Sequence, residues 1–233
     1  MYRLPVLTDI QNELMYKLKI LSSGITNTST QYKQLAKKHW DAIAKPLDSL
    51  GEFERIFQKL SAIFESEIPV IDKKCITVMC SDNGVVEEGI SQSGKEVTLA
   101  VAKSMALGTS SISVLCRSCA SDLMVIDIGI DSFDTDIYSM GVINHKLMHG
   151  TNNFVKEKAM PPDISLRAIL TGIEIVENLK SKGVNIIGTG EMGIGNTTTS
   201  SALSSALLNL PVANVTGRGA GLNDIKLQRK IDI

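Results

Sequence analysis

The residues best suited to chemistry sit in Gly188-Thr-Gly-Glu-Met-Gly-Ile-Gly-Asn-Thr-Thr-Thr-Ser200. Four glycines allow main chain to approach a ligand closely, and the segment runs into a predicted helix. The first N–H groups of that helix are unpaired and carry partial positive charge. This combination suits an anion such as a phosphate. It also fits a plain connector with Asn196 or Thr197 as helix N-cap. Glu191 is the awkward member, because a carboxylate repels a phosphate unless it serves a hydroxyl or a cationic ring instead. Gly188-x-Gly190-x-x-Gly193 has dinucleotide spacing, yet the ribose-binding acid due about 20 residues on is absent, since Val212, Ala213 and Asn214 stand there. Gly190-x-x-x-x-Gly195-Asn196-Thr197 approaches a nucleoside-triphosphate loop with Asn in place of its Lys. A side chain at Gly193 is expected to block phosphate approach while sparing the fold.

Two further loops carry suitable groups. Gly217-Arg-Gly-Ala-Gly-Leu-Asn-Asp224 joins three glycines to Arg218, with Lys230 about two turns into the next helix, again an arrangement for an anion. Its plainer reading is a tight turn with Asn223 as cap. Ser81-Asp-Asn-Gly-Val-Val-Glu-Glu-Gly-Ile-Ser-Gln-Ser93 supplies Asp82, Glu87 and Glu88, which could orient hydroxyls or ring nitrogens or form a solvated acidic turn. The four cysteines, Cys75, Cys80, Cys116 and Cys119, are too few for a disulfide scaffold. Cys116-x-x-Cys119 could join the other two at zinc, but an odd spacing along a strand sends Cys75 and Cys80 to opposite faces. They read as small apolar residues. His145 and His149 have helical metal-pair spacing without the glutamate of a zinc-protease helix, so no metal is assigned.

The elements that must hold these loops alternate. Residues 14–21 and Gly51–Phe64 read as helices. The second places Phe53, Ile56, Phe57, Leu60, Ile63 and Phe64 on one face, behind a capping box of Ser49 and Glu52. Pro46 breaks the chain between them. From residue 74 strands and helices take turns: a strand at Cys75–Cys80, a helix to about Met105, a strand at Leu123–Ile130 and a weaker one at Gly141–Asn144. A helix at Ile164–Lys182, a strand at Val184–Gly188, a helix from about Asn196 and a short strand at Val212–Val215 complete the pattern. Apolar strands separated by helices predict an α/β fold, a Rossmann-like and mostly parallel sheet with helices on both faces, preceded by a small helical segment. The expected division is 1–70 and 71–233. Ligands in such sheets bind beyond the strand C-termini, where the informative loops fall.

Composition limits the partners. With 24 Lys plus Arg against 25 Asp plus Glu, the formal charge of −1 gives no reason to expect nucleic acid or an anionic membrane. No run reaches the roughly 18 apolar residues of a span. The start, Met1–Leu7, lacks the apolar core of a secretory signal. At 43% hydrophobic residues the chain can build a sizeable core, and a cytoplasmic globular protein is expected.

Taken together the loops resemble one family, the nicotinate-nucleotide–dimethylbenzimidazole phosphoribosyltransferases, which make the lower-ligand nucleotide of cobalamin. The matching blocks, in the family's order, are Lys45-Pro-Leu-Asp-Ser-Leu-Gly51, Asp82-Asn-Gly-Val-Val-Glu-Glu-Gly89, Gly150-Thr-Asn-Asn-Phe154, Gly190-Glu-Met-Gly-Ile-Gly-Asn-Thr-Thr198 and Gly217-Arg-Gly-Ala-Gly-Leu-Asn-Asp224. The fourth is the most specific. The resemblance implies a Rossmann-like large domain, a small helical domain built from the chain ends and a homodimer. It implies transfer of phosphoribosyl from nicotinate mononucleotide to 5,6-dimethylbenzimidazole or a related base, without cofactor or metal, giving α-ribazole 5′-phosphate and nicotinate.

By the same resemblance Glu191, Gly193, Ile194, Gly195, Asn196, Thr197, Gly217, Arg218, Gly219 and Lys230 line the nucleotide and phosphate site. Asp82, Ser93 and Met192 border the base pocket. The chain departs from the family pattern at Asn83, usually His, and at Gly94, usually Pro. The family's general-base glutamate lies in a C-terminal segment that no position up to Ile233 matches. The expectation is therefore an α/β domain incomplete at its C-terminus, no catalytic base in the chain and, if the chain is the whole protein, negligible turnover, with a nucleotide- or base-binding module as the alternative.

Overall fold

The computed structural model describes residues 8–233; the segment Met1–Leu7, read above for a secretory signal, lies outside the described residues. The chain divides into two compact units, residues 16–72 and residues 8–15 with 73–233. It opens with α1 (Asp9–Ser23).

The smaller unit is built on α2 (Thr30–Ala42) and α3 (Glu52–Phe64). Ser29 caps α2 by accepting the Tyr32 N–H. The Trp40 ring meets Phe53 and Phe57 edge-on, with centroids 5.9 and 5.2 Å away. The capping box expected from Ser49 and Glu52 does not form. The N-cap is Gly51 at φ 56°, and Glu54 instead accepts the Leu50 N–H at 3.1 Å. The buried Glu54 carboxylate also takes the Lys45 ammonium at 2.7 Å, which holds its pKa below the ordinary value. The Lys45–Gly51 turn is thus folded over a charged pair.

The larger unit is the α/β sheet. Its strands are β1 (Lys74–Ser81), β2 (Ser121–Gly129), β3 (Ile143–Asn144) and β4 (Ile186–Met192), all parallel in the order β3-β2-β1-β4. Between them run α4 (Glu96–Ala106), α5 (Ser111–Ser118), α6 (Asp136–Ser139) and α7 (Pro162–Ser181). After β4 come α8 (Asn196–Leu208), α9 (Val212–Val215) and α10 (Asp224–Asp232). Alternation along β1 divides the core. Val78 and Cys80 face Ala102 and Met105 of α4 on one side, while Cys75 faces Ile175 and Leu179 of α7 on the other. Cys75 and Cys80 therefore do lie on opposite faces. The parallel α/β fold with helices on both faces is as the alternation predicts.

Three local readings need correction. Val212–Val215 is a short helix, because Pro211 at its N-cap fixes φ and the β-branched pair is too brief to prevail. The α8 N-cap is Gly195 at φ 88°, with no side-chain cap from Asn196 or Thr197. The strand expected to end at Gly188 continues to Met192. Its glycines serve packing, since a Cβ on Gly188 would lie 2.4 Å from Ile76 Cδ1 and one on Gly190 would lie 3.1 Å from Val78 Cγ2. His145 and His149 fall in irregular chain after β3, not on a helix.

Residues 96–118 are apolar enough, over 23 residues, to meet a length-and-composition test for a membrane span. The chain breaks there at Gly108, φ 76°, into helices of 11 and 8 residues. At 1.5 Å rise per residue neither reaches the roughly 30 Å of a bilayer core.

Candidate functional site

The sheet order creates the site. The chain moves outward from β1 through β2 to β3, then returns to place β4 on the other side of β1. Neighbouring loops at that reversal leave the strand C-termini in opposite directions and open a crevice. The loop after β1 and the loop after β4 flank it.

The β4 loop is held from both sides. The Ile194 N–H donates to Thr98 Oγ1 of α4 at 3.1 Å. The Ile194 carbonyl accepts from Asn83 Nδ2 at 3.2 Å. Asn83 Oδ1 in turn accepts the Thr199 hydroxyl at 2.8 Å. Thr98 is fully buried and Asn83 nearly so. The loop closes with Asn196 N–H on the Gly193 carbonyl at 3.1 Å, and α8 begins with Thr198 N–H on the Gly195 carbonyl at 3.0 Å. The N–H groups of Gly195 and Thr197 take no partner among the described residues. They are the orphan donors of the helix start.

Across the crevice, α10 supplies Lys230. Asn223 caps this helix by accepting the Lys226 N–H at 2.9 Å, as the sequence suggests. The Lys230 ammonium donates to Thr197 Oγ1 at 2.8 Å and to the Gly217 carbonyl at 3.0 Å. The residue is only 4% exposed, and no carboxylate neutralises it among the described residues. Burial alone lowers its pKa from the ordinary lysine value. The loop after β1 is tied down beside it. Gln92 Nε2 donates to the Gly221 carbonyl at 2.6 Å, Lys226 Nζ to the Ser91 carbonyl at 3.2 Å, and Arg229 Nε to the Glu88 carbonyl.

These loops enclose a cavity of about 90 Å³ lined by 90–92, 193–198, 218–220, Leu222 and Lys230. Its lining contains two cationic side chains and no carboxylate. Thr198 Oγ1 faces no hydrogen-bond partner although it is buried. A small, positively biased chamber with unpaired main-chain N–H groups can hold a compact anion.

The other site candidates fall around it. Gly193, Ile194, Gly195, Asn196, Thr197 and Gly219 line the cavity, and Gly217 reaches it through its carbonyl on Lys230. Arg218 borders it too, but its guanidinium is committed to its own loop, donating to the Leu222 carbonyl at 2.9 Å and to Asp224 at 2.5 Å. Glu191 does not line the cavity, and it accepts Asn196 Nδ2. Its residue is open to solvent on one side, yet the surrounding walls desolvate the carboxylate enough to raise its pKa, with Asn196 pulling it back.

None of Asp82, Ser93 and Met192 lines this cavity. Asp82 is buried and accepts the Asp131 N–H at 2.8 Å. Its Oδ1 lacks a partner, and desolvation raises its pKa. Met192 packs on the α4 side of the core, and Ser93 is exposed. Glu87 and Glu88 bind Asn153 rather than solvent alone, through Nδ2 at 3.5 and 2.6 Å. Thr98 is the neighbour of the β4 loop that the sequence does not signal, since a lone hydroxyl in an apolar helix has no distinguishing pattern.

The Gly193 expectation also changes. A Cβ there would lie 2.1 Å from the Ser81 carbonyl, 2.9 Å from Glu191 Oε1 and 3.0 Å from Asn83 Nδ2. Close packing of β1 against the β4 loop by itself demands glycine. A side chain at this position cannot spare the fold.

A parallel α/β sheet with a small cavity at its reversal point is an architecture suited to an anionic ligand. A family model described as Phosphoribosyltransferase matches residues 25–233, and the chain belongs to that family. A curated relative from Acetivibrio thermocellus named nicotinate-nucleotide–dimethylbenzimidazole phosphoribosyltransferase is 46% identical over 199 residues, covering 85% of this chain and 56% of the relative. One of the same name from Ruminiclostridium cellulolyticum is 44% identical over 211 residues, covering 91% and 59%. The crystal structure of CobT from Thermus thermophilus superposes with a TM-score of 0.82 at 32% identity, covering 86% of this chain and 60% of that one. The family resemblance read from the loops is thereby borne out. The chain spans less than two thirds of the length of these relatives.

Proposed function

We propose that the chain binds nicotinate mononucleotide by its 5′-phosphate and serves the transfer of phosphoribosyl to 5,6-dimethylbenzimidazole or a related base, the reaction for which its relatives are named. The observation that carries this reading is the buried Lys230 ammonium, without a carboxylate partner among the described residues, lining one cavity with Gly195 and Thr197, whose N–H groups are unpaired there.

The chemistry suits such a site. Nicotinate bound to ribose is a pyridinium, so its departure neutralises the ring and needs no help for a leaving pyrophosphate. The incoming azole nitrogen attacks C1′ from the opposite face, which converts a β-nucleotide into an α-product. Fixing the phosphate at Gly195, Thr197 and Lys230 holds C1′ in place, and the benefit is proximity and orientation. Glu191, which accepts Asn196 Nδ2, is assigned to a ribose hydroxyl or the cationic ring. A carboxylate base takes the azole proton; the residues lining the cavity include none. Asp82, Ser93 and Met192 are assigned to the base side on the family resemblance. The same resemblance supports a large domain at 71–233, a small helical domain containing 1–70, a homodimer and a cytoplasmic location.

Calorimetry with nicotinate mononucleotide, paired with an assay of nicotinate release on adding 5,6-dimethylbenzimidazole, tests the reading. Binding that inorganic phosphate competes away is the expected result, and base-dependent release would show that the chain carries turnover as well. Binding without release would leave a nucleotide-binding module in place of a transferase. Absence of binding would overturn the reading altogether.

A further inference from the structure

We infer that Asn83 is a positioning residue that sets the anion-binding geometry of the β4 loop. The inference rests on the phosphate reading above. Asn83 follows β1 and is 7% exposed, yet both ends of its side-chain amide are used across more than a hundred residues of sequence. The assignment of those ends is chemically forced. The Ile194 carbonyl can only accept, so Nδ2 must face it, and Oδ1 then takes the Thr199 hydroxyl. Thr98 holds the other side of the same residue by accepting the Ile194 N–H.

Both main-chain polar groups of Ile194 are consequently fixed by side chains from other elements. The peptide plane between Ile194 and Gly195 cannot rotate without breaking the Asn83 bond, and the Gly195 N–H belongs to that plane. Thr199 lies in the first turn of α8, so the second Asn83 contact fixes the helix start that carries the Thr197 N–H. Gly195 sits at φ 88°, where glycine has little steric preference of its own. Orientation here must come from outside the loop. Asn83 supplies it without touching the anion, and acts by pre-orienting the two donors before a ligand arrives.

The test compares the full chain with Asn83→Ala and Asn83→Asp. The Asp variant keeps an acceptor for Thr199 but places an oxygen against the Ile194 carbonyl. Calorimetry with nicotinate mononucleotide and with nicotinate riboside, which lacks only the phosphate, separates positioning from general damage. Both variants are expected to lose about tenfold in mononucleotide affinity, the scale of one net hydrogen bond. Riboside affinity is expected to stay unchanged. Equal loss for both ligands, or no loss for either, would overturn the inference. Hydrogen–deuterium exchange of the unliganded chain gives a second reading that needs no ligand. Amides of 194–198 should exchange faster in both variants while those of β1 and β2 keep their rates, and unchanged exchange at 194–198 would also overturn it. If the unsubstituted chain binds no mononucleotide, the phosphate reading fails by itself and the exchange result decides whether Asn83 orders the loop.

Discussion

Lys230 Nζ lies 2.8 Å from Thr197 Oγ1, and this contact joins the α10 helix to the N-terminus of α8 across 33 residues of sequence. It places a buried ammonium in the same cavity lining as the unpaired amides of the β4 loop, with no carboxylate to neutralise it among the described residues. A charge kept in that condition costs stability unless something binds to it. An anion bound there would offset that cost, which is what the proposed phosphate site requires.

Replacing Lys230 separates those two consequences. Lys230→Met should weaken nicotinate mononucleotide about 10- to 100-fold, the range for a hydrogen bond to a charged group. Two hydrogen bonds are lost, but the desolvated charge goes with them, so the thermal midpoint should equal or exceed that of the parent. Calorimetry and thermal unfolding check both. Unchanged affinity would remove Lys230 from the site.

The pH dependence follows from the same group. Burial depresses the Lys230 pKa, so in the folded chain it sheds its proton at lower pH than in the unfolded chain. A bound anion favours the charged form. Affinity for the mononucleotide should hold near neutrality and fall as pH rises through this depressed value, with proton uptake on binding in that window. Below roughly pH 6 it should fall again as the phosphate dianion is protonated. Lys230→Arg, which does not deprotonate, should abolish the alkaline limb. An identical limb in that variant would contradict the assignment.

Two glycines should respond differently. Gly219 has φ 54°, and a Cβ there would stand 2.9 Å from Thr197 Oγ1 and 3.7 Å from Lys230 Nζ. Gly219→Ala should cost about 1–2 kcal/mol of stability for the left-handed backbone and weaken the mononucleotide by crowding the cation. Gly193→Val should fail to give a native-like chain, because its Cβ meets the Ser81 carbonyl. Circular dichroism and calorimetry distinguish them. A folded Gly193→Val chain would contradict the packing.

Asp82 makes a stability prediction. Desolvation raises its folded-state pKa, so the folded chain holds this proton more tightly than the unfolded one. Stability from this group is present at low pH and lost as pH rises from the unfolded value through the raised folded one. Asp82→Asn keeps an acceptor for the Asp131 N–H and removes the buried charge. It should raise the midpoint at pH 7, with the gain vanishing under acid conditions. A lower midpoint at pH 7 would show that the ionised carboxylate is needed.

The alternation of apolar strands with helices reveals the parallel sheet because burial on both faces leaves continuous apolar runs such as Cys75–Cys80. The Gly188–Gly190 portion of β4 is hidden by its composition. Those glycines look like loop, and only the closeness of Ile76 and Val78 shows why a strand needs them. Val212–Val215 misleads in the opposite sense, since β-branched residues suggest a strand where Pro211 starts a helical turn. The Lys230, Gly195 and Thr197 cluster is legible as separate glycine-rich loops, while their convergence depends on the return of β4 beside β1. Asn83 and Thr98 are the least legible, because bonds spanning 111 and 96 residues leave no local pattern.

The most direct measurement is a crystal structure of the chain with nicotinate mononucleotide. The phosphate oxygens should lie within hydrogen-bonding distance of Lys230 Nζ and of the Gly195 and Thr197 N–H groups, with the ribose directed out of the chamber. A mononucleotide bound with its phosphate elsewhere, and this chamber holding only solvent, would contradict the account.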